Sequence, residues 1–246
     1  MKCKATILTC LLLVASTAKT EAPVSTSAFL ACQMTSSIFF EGALVEYFQH
    51  AETCKQVSFV PSRKRIANLS KAMWTACNHS GIKPFNTWIY PGTQFAPEWR
   101  PYFLFSLMMT ESGGKSHNTS KPEEKTYGPW CVTIAEARGA CYLLKEKCPR
   151  ASWEIAEKLQ ENLDWSALMA LAAWEFYAES SRGDVMMGLM KYKYGATRFR
   201  DILVENNGEM KKCNEHIKFS KKLDTVRCMV AQMGYGNPCF CFENDQ

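Results

Sequence analysis

Residues 102–114 read YFLFSLMMTESGG, an apolar run that ends in a glutamate, a serine and two glycines. The run is predicted to be helical, and paired glycines are typical of a helix C-terminus because glycine adopts the left-handed conformation without strain. Glu111 is therefore predicted to lie where an apolar helix ends. The negative end of the helix dipole and the apolar neighbours both disfavour a charged carboxyl, so this glutamate is expected to keep its proton near neutral pH.

A carboxyl group that keeps its proton can act as a general acid. Glycosidases need such a group to protonate the sugar oxygen that leaves. The alternative for Glu111 is a solvated surface glutamate at a fraying helix end, since most acidic side chains are exposed.

Three further features follow Glu111 along the chain. Ser120 comes nine residues later, residues 127–133 read YGPWCVT, and residues 183–195 read GDVMMGLMKYKYG. The order Glu-Ser, then Ser, then a glycine-containing turn, then Tyr-x-x-Gly resembles the soluble-type lytic transglycosylases, which share a lysozyme-like fold with goose-type lysozyme. The resemblance covers roughly Arg100 to Leu203, less than half of the 246 residues.

The resemblance implies a mainly α, lysozyme-like domain that acts on peptidoglycan glycan strands. It implies that Glu111 is the single catalytic residue and that Tyr192 hydrogen-bonds to it, while Gly128 lets the backbone approach a sugar. Trp130, in the same turn, is expected either to stack on a sugar or to pack in the core. The predicted substrate-binding set is Ser112, Ser120, Gly128, Trp130, Cys131 and Tyr192.

Two residues depart from the family pattern. Cys131 stands where the family usually has glutamine, and Lys193 stands where it has asparagine; the stretch between Ser120 and Gly128 is also two residues longer than typical. These departures favour the alternative of a non-catalytic protein that binds the cell wall or assists secretion. A hydrolytic muramidase on the same fold is a second alternative, for which inversion would need a second carboxylate to activate water. A disulfide-rich secreted protein with a chance motif is the remaining alternative.

The N-terminus predicts export. Lys2 and Lys4 precede an apolar run and then small residues through Ala22, the pattern of a secretory signal peptide. Removal of residues 1–22 takes away three lysines and one glutamate, so the formal charge falls from +5 to +3. This charge does not indicate a nucleic-acid partner, and no later segment has the length of a membrane span. The protein is therefore expected to be periplasmic or secreted.

The cysteines point to a disulfide framework. Two of the 12 cysteines fall in the signal peptide, and an even set of ten in an exported chain is most simply paired. Cys131 is expected to pair with another cysteine of the catalytic region. The four histidines are scattered, so the sequence predicts neither a metal site nor a cofactor.

The chain divides into four predicted parts. After the signal peptide, residues 23–95 form an N-terminal helical region, residues 96–205 form the catalytic domain, and residues 206–246 form a cysteine-containing extension. Hydrophobic residues make up 47% and charged residues 22% of the chain, as in ordinary globular proteins. Helical periodicity dominates and strand signals are sparse.

Overall fold

The computed structural model describes residues 37–53, 59–82, 88–90, 93–95, 100–115, 125–181, 185–206 and 208. The predicted signal peptide, Ser120 and nearly all of the C-terminal extension lie outside these residues. The described part is mainly helical, as the sequence predicted. Its helices are α1 (Ser37–Thr53), α2 (Arg63–Cys77), α3 (Arg100–Glu111), α4 (Ile134–Leu144), α5 (Ser152–Glu161), α6 (Leu163–Glu179) and α7 (Val185–Glu205).

Two short antiparallel hairpins complete the described structure. β1 (Trp88–Tyr90) pairs with β2 (Thr93–Phe95), and this hairpin contacts α7. β3 (Thr126–Tyr127) pairs with β4 (Val132–Thr133) and contacts α5 and α6.

Helix α6 lies at the centre of the fold. Every residue from Trp165 to Trp174 is buried, and a helix that is buried all round needs neighbours on every side. Helices α2, α4 and α7 supply most of that cover, with α3 and α5 beside them. Trp174 is fully buried, and the centroid of its ring lies 4.1 Å from that of Phe103 on α3.

Aromatic side chains join α1 to α3. Phe105 contacts Tyr47 and Phe48 edge to face, with ring centroids 5.0 and 5.8 Å apart, a favoured geometry for aromatic pairs. Phe40 meets Tyr102 in the same way at 4.9 Å. The described N-terminal helices therefore belong to the same hydrophobic core as the predicted catalytic region.

The helix limits follow local signals in the sequence. Ser62 caps α2 by accepting a hydrogen bond from the amide of Arg65, and Asn162 caps α6 through the amide of Trp165, as short polar side chains at these positions do. Helix α7 is kinked at Gly195, where φ is 72°.

Four cysteines fall within the described residues: Cys77, Cys131, Cys141 and Cys148. No disulfide joins any two of them, so the predicted bridge from Cys131 to Cys141 or Cys148 is not present. The remaining mature cysteines lie outside the described residues, and the wider framework stays a prediction. Within the described part of the chain, no helix has the length and apolar character of a membrane span.

Replacing Trp174 with phenylalanine is expected to destabilise the protein by about 1–3 kcal/mol, because it removes part of a fully buried ring beside Phe103 and leaves a cavity. The matched control is Trp153→Phe, since Trp153 is 67% exposed; its cost should stay within about 0.5 kcal/mol. Chemical denaturation of both variants measures the difference. Equal stabilities would contradict the central position of Trp174.

Candidate functional site

Glu111 is the last residue of α3, as the sequence predicted. Its side chain is only 6% exposed. The chain leaves the helix through Gly113 and Gly114, which have φ values of 66° and 83°, a conformation that favours glycine. The Ser112 hydroxyl donates to the carbonyl of Met108 and accepts from the amide of Gly114 at 3.2 Å. Ser112 therefore shapes the turn that follows the carboxyl.

Lys193 contacts Glu111 directly. Its Nζ donates to Glu111 Oε2 at 2.9 Å, across 82 positions of sequence, and the lysine side chain is 32% exposed. An ammonium group at this distance stabilises the ionised carboxyl. The contact therefore opposes the proton retention that the sequence predicted for Glu111. That prediction did not include Lys193, because the sequence alone did not place a cation beside the carboxyl.

The turn between β3 and β4 packs inward. Gly128 has φ 73°, and a Cβ atom there would lie 2.3 Å from the carbonyl oxygen of Leu159 and 2.6 Å from Ser166 Oγ. Glycine is required because the backbone approaches α5 and α6 closely. The side of Gly128 on which a Cβ atom would lie therefore faces the protein and not a bound sugar.

Trp130 and Cys131, in the same turn, are both buried. The Trp130 indole N–H donates to the carbonyl of Leu104 at 2.9 Å, which fixes the turn to α3. The core alternative for Trp130 is therefore correct, and the stacking interpretation is wrong for this conformation. Cys131 has φ 53°, an uncommon value for a residue with a side chain.

Tyr192 lies near Glu111 but does not donate to it. Its hydroxyl donates to the backbone carbonyl of Trp130 at 2.7 Å, and a phenol has one proton to give. Burial raises the pKa of Tyr192 well above its usual value, and the charges of Glu136 and Glu111 raise it further. The predicted hydrogen bond to Glu111 is replaced by one that ties α7 to the turn.

Glu136 is a second, partly buried carboxyl, and its place in the site was not predicted from the sequence. Its Oε2 accepts from the amide and the hydroxyl of Thr133, each at 2.9 Å, and the Thr133 hydroxyl accepts from the amide of Glu136. This reciprocal arrangement is a capping box at the start of α4. The pattern Thr-x-x-Glu before an apolar run predicts it. Tyr177 donates to Glu136 Oε1 at 3.3 Å.

The pKa of Glu136 is raised, chiefly by burial. The hydrogen bonds from Thr133 and Tyr177 lower it, whereas the charge of Glu111 raises it. The two carboxyls therefore lie close enough for each to influence the ionisation of the other. Burial also raises the pKa of Tyr177 to about 12.

The residues predicted from sequence form two groups. Glu111 meets the α7 segment through Lys193, and Ser112 follows it in the adjoining turn. Trp130, Cys131 and Tyr192 form a packed, buried wall. Ser120 lies outside the described residues. Among the described residues, no group of three or more histidine, cysteine or acidic side chains is arranged to hold a metal ion.

An open groove of about 560 Å³ lies beside the β3–β4 hairpin. Tyr127, the residue before Gly128, lines one side, and Trp153 lines the other with Glu157, Gln160 and Glu161 of α5. Aromatic rings with nearby polar groups can hold a ligand that is apolar on one face and polar at its edges.

The chain matches no protein-family model, no curated protein and no solved structure at significant similarity.

Replacing Tyr192 with phenylalanine is expected to destabilise the protein by about 1–3 kcal/mol, because the carbonyl of Trp130 loses a buried donor. Tyr142→Phe is the matched control, since Tyr142 is 85% exposed and its loss of a hydroxyl should cost less than about 0.5 kcal/mol. Denaturant unfolding measures both. A Tyr192→Phe variant as stable as its control would show that the hydrogen bond to Trp130 is not formed in solution.

Proposed function

We propose that the protein is an exported lytic transglycosylase that cleaves the bond between N-acetylmuramic acid and N-acetylglucosamine in peptidoglycan. One observation carries the proposal. The buried carboxyl of Glu111 meets the α7 segment at 2.9 Å through Lys193, and Tyr192 of that segment bonds to the turn of residues 128–131. Glu111 is thus linked to α7, and α7 to the turn, which supports the proposal that these parts of the chain form one site.

Glu111 supplies both acid and base in this proposal. In its protonated form it gives a proton to the glycosidic oxygen, which leaves as the hydroxyl of the departing sugar. The resulting carboxylate then accepts the proton of the muramic acid 6-hydroxyl, whose oxygen closes on the anomeric carbon to form the 1,6-anhydro ring. One carboxyl completes the cycle, and neither water nor a metal ion enters it.

The surrounding residues form the frame of the site. Ser112 shapes the turn after the carboxyl, and Gly128 allows the hairpin to approach α5 and α6 closely. Trp130 and Tyr192 link α3, the turn and α7 by hydrogen bonds to backbone carbonyls. This arrangement, a buried helix that ends in a carboxyl beside a small hairpin, supports the lysozyme-like fold that we propose for residues 96–205.

The groove beside Tyr127 supports a polymeric sugar substrate. The exposed ring of Trp153 offers an apolar face, and Glu157, Gln160 and Glu161 offer acceptors for sugar hydroxyls. Tyr127 of the groove belongs to the hairpin, and the turn that follows it is bound to Tyr192 of α7.

Glu136 favours a second candidate, a hydrolytic muramidase. An inverting hydrolase needs a second carboxylate that activates water, and Glu136 is near enough to be influenced by the charge of Glu111. However, the oxygens of Glu136 accept hydrogen bonds from Thr133 and Tyr177, so this carboxyl is occupied as a helix cap. The transglycosylase is therefore the better supported function.

The products distinguish the candidates. Purified peptidoglycan digested by the protein should yield muropeptides with 1,6-anhydro ends, as measured by mass spectrometry. Reducing ends would instead identify a hydrolase. Intact polymer that retains the protein in a pull-down would identify the wall-binding alternative.

Replacing Glu111 with glutamine is expected to lower wall cleavage by about 10²- to 10⁴-fold, because the amide can neither give nor accept the catalytic proton. Glu52→Gln removes the same charge from an exposed position of α1 and should leave cleavage unchanged. Release of soluble muropeptides measures activity, and circular dichroism checks that both variants fold. Cleavage by the Glu111 variant within about threefold of the wild type would exclude Glu111 as the acid.

A further inference from the structure

The ion pair between Glu111 and Lys193 has a direct consequence for acid catalysis. The Nζ to Oε2 distance is 2.9 Å and the carboxyl is almost fully buried, so water screens the attraction poorly. A cation in this position favours the ionised carboxyl. A general acid, in contrast, must hold its proton when the substrate arrives.

The other charged groups near Glu111 act in different directions. Glu136 of α4 interacts electrostatically with Glu111 and opposes its ionisation, as do the carbonyl groups at the C-terminal end of α3. Tyr192 of α7 is neutral, because burial first and the two glutamates next raise its pKa, and Tyr177 of α6 is hydrogen-bonded to Glu136. Arg65 of α2 donates to the carbonyl of Gly114, three residues after Glu111.

Lys193 contacts the carboxyl itself, with its Nζ 2.9 Å from Oε2. Its side chain is one-third exposed, and it belongs to α7, next to Tyr192 in sequence but with a different partner. Protonation of Glu111 would remove one charge of the pair and weaken the attraction that holds the ammonium group against the carboxyl. The proton on Glu111 and the position of Lys193 are therefore linked.

We propose that Lys193 is a positioning residue that holds Glu111 ionised near neutral pH and thereby confines glycan cleavage to acidic conditions. The inference rests on the proposed role of Glu111 as the general acid. The direction of the effect follows from the charge. Lys193 lowers the pH at which Glu111 takes up its proton, so the cleavage rate falls as the pH rises through that value. Removing the cation moves this basic limb of the profile to higher pH.

Three variants test the inference by the pH dependence of anhydro-muropeptide release between about pH 4 and pH 8. Lys193→Met removes the charge and shortens the side chain by one heavy atom, whereas Lys193→Arg keeps the charge. Lys191→Met is the matched control, because Lys191 lies on the same helix and its Nζ donates to Ser180 instead.

The basic limb of Lys193→Met should lie about one pH unit or more above that of the wild type, which is about a tenfold gain in rate on that limb. The profiles of Lys193→Arg and Lys191→Met should superpose on the wild type. A merely structural role for Lys193 would lower the rate at every pH without moving the limb. Active Lys193→Met protein with an unshifted limb would overturn the inference.

A second measurement separates this inference from the proposed function. The carboxyl carbon of Glu111 can be followed by NMR in protein labelled with carbon-13 glutamate, with its signal assigned by comparison with Glu111→Gln. It should titrate at higher pH in Lys193→Met than in the wild type. No cleavage by any variant at any pH would reject the proposed function, whereas an unchanged titration would reject the control of Glu111 by Lys193.

Discussion

The burial of α6 on all sides is the constraint on which the rest of the structure depends. Residues Trp165 to Trp174 have no polar face to turn toward water, so the helices around them must enclose the segment completely. Helices α2, α4 and α7 lie against it, and α3 adds Phe103 beside Trp174. Once α3 and α7 are fixed to the same central helix, the end of one and the middle of the other come together.

Backbone carbonyls then set the geometry of the site. The indole of Trp130 is bound to the carbonyl of Leu104, and the carbonyl of Trp130 is bound to the hydroxyl of Tyr192. These two bonds link α3 to the hairpin turn and the hairpin turn to α7. Each bond satisfies a buried polar group. The loss of either would leave an unpaired donor or acceptor and lower the free energy of unfolding. The wall next to Glu111 is thus part of the core.

Local features of the site could be predicted from the sequence, and long-range contacts could not. The end of α3 at Glu111 follows from Gly113 and Gly114, whose conformations depend on their own residue type. The capping box of Thr133 and Glu136 could likewise be predicted from the spacing of the two residues. The contact of Lys193 with Glu111 depends on how α7 packs 82 residues later. The partner of Tyr192 was predicted incorrectly because the turn presents the carbonyl of Trp130 to the phenol.

The fixed wall and the lysine also differ in how they can respond to a ligand. The turn of residues 128–131 is held by hydrogen bonds at Trp130 and by close backbone packing at Gly128. The turn therefore cannot move outward unless the packing of the core is disrupted. Lys193 has a flexible four-carbon side chain that is one-third exposed. The lysine side chain can therefore respond to a bound molecule by a change of rotamer, while the backbone around the carboxyl keeps its shape.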